Sequence, residues 1–307
     1  LLQWGAPAAC EPAAHDIRPA GTPVSTVART ADGKDVVFVV NHSDHPVSLS
    51  LELPNTRFVP DWFDPVTGCV TPLPVADARV PIRLPACGSG FLVQRRPAAK
   101  EPTGASWPRA EEVAVVKGPW QVTFPGRGGR AAVEMKREGL RDWTQEGDSR
   151  IRYFSGTATY RTTFFGPAGT SPDVVALGDC QGQIARVVLN GIDCGTAWCP
   201  PYEVRIPAGT LRAGANELAV EFTNVWANRL IGDEQEPPDC AFVPAPYPGG
   251  AYLARFPDWF VRRTPRPSQG RVCFTTWNYF TKDSPLVPSG LLGPVRLCRT
   301  KTGEACR

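Results

Sequence analysis

The sequence predicts an all-β protein: a small antiparallel β-sandwich followed by a larger jelly-roll β-sandwich. Three observations carry this. The 307 residues include 33 Pro and 29 Gly, about a fifth of the chain against roughly an eighth in average proteins. Pro breaks helices and Gly weakens them, so a long helical bundle or coiled coil is excluded. The composition nevertheless forms a core, being 42% hydrophobic with nine Trp and fourteen Phe. Finally, apolar residues recur with period two in short runs bounded by turn residues, the pattern of half-buried strands. The length suits two domains, each large enough to bury its own core.

Residues 1–23 carry no periodic segment and read as the tail of a preceding domain. The chain opens Leu1-Leu2-Gln3-Trp4-Gly5, and its single Met is Met135. A piece of a longer polypeptide is therefore expected. Residues 24–97 read as the small sandwich. Asp35–Asn41 is a β-branched run, and Val47–Leu53 alternates strictly. With the polar Ser-Asp-His-Pro turn between them, the two predict an antiparallel hairpin. Arg57–Phe63, Arg79–Leu84 and Gly88–Gln94 supply further strands, with Asp64-Pro65-Val66-Thr67-Gly68 as a turn. Five or six strands in so short a span make a sandwich.

Residues 98–112 are Pro-rich and aperiodic and read as a linker. The larger sandwich is expected over 113–307. Its strands are predicted at Gly118–Phe124, Gly156–Phe165, Asp173–Leu177, Ile184–Leu189, Glu217–Asn224 and Arg271–Thr276. Asn190-Gly191 lies between two strand-like runs and is the strongest short hairpin signal available. The loop-rich insert 225–270 carries much of the aromatic and acidic content, and loops on a rigid sandwich are where function concentrates.

Charge and motifs narrow the function. Net charge is +3, with Lys and Arg scattered, which is no footprint for nucleic acid. No apolar run reaches the length of a membrane span, and no signal peptide is visible. Ten Cys suit an oxidising compartment, so a secreted or periplasmic bacterial protein is expected, with most thiols free and one or two bridges. The three His all precede residue 46 and no Cys-x-x-Cys pair occurs, so no metal site is assigned. Nucleophile-elbow and phosphate-loop motifs are also absent. Asn41-His42-Ser43 is a glycosylation sequon by form alone.

Several ordered motifs resemble known enzymes. Ile151–Tyr160, Leu177-Gly178-Asp179, Val187–Gly191 and Gly195–Tyr202, followed by Leu211–Leu218, resemble the galactose-binding-like sugar-binding jelly roll of glycoside hydrolase family 2. The pattern continues through Trp226–Glu234, Phe274–Leu286 and Pro288–Val295. Together with Val36–Asp44 and Trp62–Gly68 in the first domain, it resembles the C-terminal region of the alpha-L-rhamnosidases of family 106. The resemblance covers roughly residues 24–298. It implies an inverting glycosidase of rhamnose-containing glycans whose two acidic catalytic residues and calcium ion sit in a barrel preceding the matched region. No catalytic residue and no cofactor are assigned to this chain; its expected partners are a carbohydrate and that missing barrel.

Sugar recognition uses aromatic faces against apolar sugar faces and polar groups against hydroxyls. The candidates for stacking are Trp198, Tyr202 and Trp226, with Trp259, Trp277 and Tyr279 further along. Asn228, Arg229, Asp233 and Glu234 are candidates for hydrogen bonding. Against these stand a structural Arg229–Asp233 pair and a core role for the Trp residues, which is expected of Trp120 and Trp143. The acidic run Asp233, Glu234, Glu236 and Asp239 could offer oxygen ligands to calcium, but its spacing is no EF-hand, and a solvated loop or one reaching towards a catalytic domain explains it too. A free-standing carbohydrate-binding module, or a lectin, is the alternative to the hydrolase reading. A surface adhesion sandwich is a third.

Overall fold

The computed structural model describes residues 17–31, 34–53, 58–97, 109–126, 131–246 and 249–301. The tail expected over 1–23 and the linker expected over 98–112 therefore lie largely outside the described residues. The chain divides into two compact units, Leu1–Glu111 with Arg299–Arg307, and Glu112–Cys298. No helix among the described residues is long and apolar enough to cross a membrane.

The first unit holds strands β1 (Ile17–Arg18), β2 (Val24–Ala31), β3 (Lys34–Asn41), β4 (Val47–Glu52), β5 (Phe58–Phe63), β6 (Val70–Pro72), β7 (Arg79–Leu84) and β8 (Ser89–Pro97). They form two antiparallel sheets, ordered β1-β4-β7 and β2-β3-β8-β5-β6. Alternation places Val80, Ile82 and Leu84 of β7 inward, beside Leu49 and Leu51 of β4. Val37, Val39, Trp62 and Leu92 of the second sheet complete one core. Gly90 is required by that packing, because a Cβ there would stand 2.1 Å from the Trp62 ring.

The expected β3–β4 hairpin does not form. β3 pairs with β2 and β8, whereas β4 pairs with β1 and β7. The link between them crosses from one sheet to the other, and Asn41 fixes the crossing. Its Nδ2 donates to the carbonyls of His45 and Pro85, both at 2.8 Å, and its Oδ1 accepts from Ser43. Buried and fully engaged, the Asn41 amide is a structural clamp rather than a glycosylation acceptor.

The second unit follows with β9 (Arg109–Val115), which opens within the residues read as linker, then β10 (Trp120–Phe124), β11 (Val133–Arg137), α1 (Ser149–Arg152), β12 (Thr157–Phe165), β13 (Val174–Ala176), β14 (Ile184–Leu189), β15 (Ile192–Ala197), β16 (Glu203–Arg205) and β17 (Ala215–Thr223). Helix α2 (Ala227–Asp233), strands β18 (Phe242–Pro244) and β19 (Ala251–Leu253), helix α3 (Asp258–Val261), β20 (Trp277–Asn278) and β21 (Arg296–Lys301) complete it. A six-stranded sheet, β11-β10-β12-β17-β14-β15, faces a four-stranded one, β16-β13-β21-β9. Trp120, Phe124, Trp143, Phe154 and Phe222 fill the space between, with Val175, Val204 and Leu297 from the smaller sheet. The sequence turn Asn190-Gly191 joins β14 to β15, with φ of 52° and 80°, as a type I′ hairpin demands.

One predicted strand is absent. Arg271–Thr276 is irregular, because its backbone donors meet a side chain rather than a neighbouring strand. The N–H groups of Val272 and Cys273 both donate to the Asp233 carboxylate. The sheet contact falls one step later, where β20 joins β18 and β19 in a small third sheet.

Candidate functional site

The stacking candidates sort by position. Ala197 pairs with Ala185, and Ile184 pairs with Thr223. Trp198 therefore leaves β15, and Trp226 follows β17, from the same end of the six-stranded sheet, with Ile184 of β14 between. Adjacent strands are about 4.8 Å apart, so the two exits lie on the order of 10 Å apart. Trp198 is 56% exposed and Trp226 47%, and Ile184 and Val225 at the same end are similarly open. Both exposed rings therefore follow strand ends at one end of the six-stranded sheet.

Tyr202 does not join it. Its ring lies in the core, its hydroxyl accepts from the Gly182 N–H at 3.0 Å, and its φ of 55° turns the chain sharply after Cys199. Burial raises its phenol above the ordinary value. A ring packed in this way has no face left for a sugar.

The hydrogen-bonding candidates form a brace along α2 and just after it. Asn228 is fully buried. Its Nδ2 donates to the Val287 carbonyl and to Ser289 Oγ, and its Oδ1 accepts from the Val287 N–H. Asn224 donates to Ser289 Oγ and the Phe154 carbonyl, and accepts from Gly156. Arg229 Nε meets Asp233 Oδ1 at 3.0 Å with both side chains buried. The structural ion pair is thus the arrangement formed, and these three residues point inward rather than to a ligand. Glu234, partly open, binds Arg271 Nη1 at 2.9 Å.

The acidic run is neutralised in the same manner. Asp239 meets Arg266 Nε at 2.5 Å, and Arg266 lies over the Trp259 ring at 5.2 Å. Burial alone would raise the Asp239 carboxyl, but the Arg266 hydrogen bond and charge outweigh it and hold it below the ordinary range. Beside it the Cys240 thiol is pushed up to about 11 by burial and then by the Asp239 charge, which leaves it a poor nucleophile. Three of the four acids of the run thus face arginines. Among the described residues no group of three or more His, Cys, Asp or Glu converges on a point that could hold a metal ion.

Cys69, Cys87, Cys180, Cys194, Cys240 and Cys298 are free thiols, so they do not supply the bridges expected from the Cys count. Cys10 and Cys306 lie outside the described residues. Sequence reasoning missed Asn41, Asn224 and Ser289 as organising residues. Only Asn41, in its Asn-x-Ser context, carried any local signal.

Comparison with known proteins gives this geometry a context. Residues 23–56 match the family described as beta-galactosidase C-terminal domain. The solved rhamnosidase of Novosphingobium sp. PP1Y superposes with a TM-score of 0.70 and 29% identity, over 92% of this chain and 24% of that one. The chain is built like the β-sandwich region of a glycoside hydrolase. A Formosa agariphila protein named "Putative beta-glucuronidase" is 35% identical over 187 residues, which is 60% of this chain and 15% of that protein. The chain thus spans a quarter or less of the length of either relative.

Proposed function

We propose that the chain is the C-terminal, non-catalytic β-sandwich portion of a glycoside hydrolase acting on rhamnose-containing glycans. In this reading the catalytic barrel, with its acids and any calcium, lies elsewhere in the polypeptide, and Trp198 and Trp226 contact the glycan. The observation that carries it is the likeness to a rhamnosidase across nearly the whole chain. The exposure of Trp198 and Trp226 at one end of the sheet supports the carbohydrate contact, since flat rings can lie over apolar sugar faces. The buried brace of Asn224, Asn228 and Ser289 holds the root of Trp226 in place.

A second reading exchanges rhamnosides for β-glucuronides, on the strength of the 35% identity to the Formosa agariphila protein. Calorimetry on the 307-residue chain with rhamnose-containing and glucuronate-containing oligosaccharides separates the two. Binding to the first set, lost at least tenfold in Trp198→Ala and Trp226→Ala, is the expected result. No turnover of aryl alpha-L-rhamnosides by the isolated chain is expected, and robust turnover would refute the non-catalytic assignment. Binding to neither set would remove the sugar-contact role.

A further inference from the structure

Between Glu234 and Pro288 none of the described residues is buried, although the segment contains Tyr252, Phe256, Trp259, Phe260, Phe274, Trp277, Tyr279 and Phe280. Its sheet has strands of only two or three residues, too little to be stable by itself. The segment is an arm with no core of its own.

Its root is firmly tied. Arg271 donates to Glu234 Oε1 and to the carbonyls of Pro237 and Glu236, and Asp233 gathers the Val272 and Cys273 N–H groups. Its tip is apolar and open. Phe260 stacks on Phe274 at 4.5 Å and on Phe256 at 5.5 Å, and Trp259 meets Phe274 edge-on at 5.3 Å. Phe256 is 53% exposed, Phe260 46% and Val261 65%. These residues line a shallow hollow of about 610 Å³ with Arg263 and Thr264. Arg263 is one of its lining residues, and Arg255 and Arg262, next to lining residues in the chain, are exposed as well. Asp258, 3.8 Å from Arg262, is the acid among residues 251–264.

An apolar patch with a charged rim marks a protein interaction site. A sugar platform is a poorer fit, because the phenylalanine faces are spent on one another and the hollow offers few groups to meet hydroxyls. The length of the rhamnosidase points to the occupant: three quarters of that chain lies outside the matched region. We propose that the aromatic tip formed by Phe256, Phe260 and Val261 docks against an acid-rimmed apolar face of the catalytic domain of the same polypeptide. This rests on the hydrolase reading above.

Hydrogen exchange read by mass spectrometry tests it, comparing the 307-residue chain with the whole polypeptide encoded by its reading frame. Peptides covering 251–264 should exchange at least tenfold more slowly in the whole polypeptide. Phe256→Ser with Phe260→Ser should restore fast exchange there. Arg262→Glu with Arg263→Glu, which leaves the ring cluster intact, should do so in part. Equal exchange in the two proteins overturns the proposal, as does a reading frame that holds no further domain. It is also overturned if a second copy of the 307-residue chain, detected by light scattering, or a panel of soluble glycans protects the same peptides. A whole polypeptide that hydrolyses glycosides but leaves the arm unprotected sinks the docking surface alone. Protection without any glycosidase activity sinks the hydrolase reading and leaves the surface standing.

Discussion

Trp143 and Trp259 are the same residue put to opposite uses within one unit. Trp143 is 1% exposed and meets Phe124, Phe154 and Phe222 edge-on at 5.2–5.8 Å. Trp259 meets Phe274 and Phe260 at similar distances, but its cluster is still open to water. Ring-to-ring geometry is therefore not what separates a core from a surface. The sandwich closes two sheets over its rings and gains the free energy of removing them from water. The arm has no second layer, so its rings gain only the contacts among themselves, which are smaller.

The largest expected effect follows from this contrast. Trp143→Ala should cost about 3–5 kcal/mol, the range for deleting a large aromatic from a packed core. Phe260→Ala in the isolated chain should cost well under that, on the order of 1 kcal/mol, because nearly half of the residue is already solvated. Urea denaturation followed by tryptophan fluorescence measures both. Comparable losses would break the contrast and show that the arm is a core element.

Asp233 joins the two regions, since it sits at the end of α2 and binds the backbone of the arm 39 and 40 residues later. Asp233→Ala would leave the Arg229 guanidinium, itself buried, and two backbone N–H groups without that carboxylate. Removing one partner of a buried pair costs about 3 kcal/mol or more. The arm should also loosen, visible as faster exchange at Val272 and Cys273. Full stability in Asp233→Ala would show that the arm is held by other means.

The sequence and the structure agree where the signal is local. The Asn190-Gly191 turn, the period-two runs in Val47–Glu52 and Arg79–Leu84, and the burial of Trp120 and Trp143 all follow from residue type and spacing. They part where the partner is distant. Nothing in the run from Asp35 to Leu53 reveals that its two strands belong to different sheets, because strand pairing depends on distant β7 and β8, with partners as far apart as Asp35 and Gln94. The site candidates divide in the same way. An aromatic in a loop is legible as a candidate for exposure, and Trp198 and Trp226 are exposed. Asn228, Arg229 and Asp233 look like surface polar groups until the chain at 272–289 returns to cover them.

The smallest expected effect concerns the acid limb of stability in the arm. Arg266 holds the Asp239 carboxyl below its ordinary value of 3.8 despite the opposing effect of burial. A carboxylate whose value is depressed on folding contributes stability that is present above the unfolded value and is lost as pH falls through the folded one. The Asp239–Arg266 contact should therefore be intact from neutral pH to about pH 4 and weaken below it. Asp239→Asn keeps the shape but removes the charge, and a hydrogen bond to a charged partner is worth about 1.5–3 kcal/mol. In the variant the arm should be destabilised at pH 7 and should lose this part of its acid sensitivity below about pH 4. The fluorescence of Trp259, which lies under Arg266, reports the transition if the signal is isolated by comparison with Trp259→Phe. An unchanged acid transition in Asp239→Asn would mean that carboxylates of the sandwich, rather than the arm, set the acid limit of the second unit.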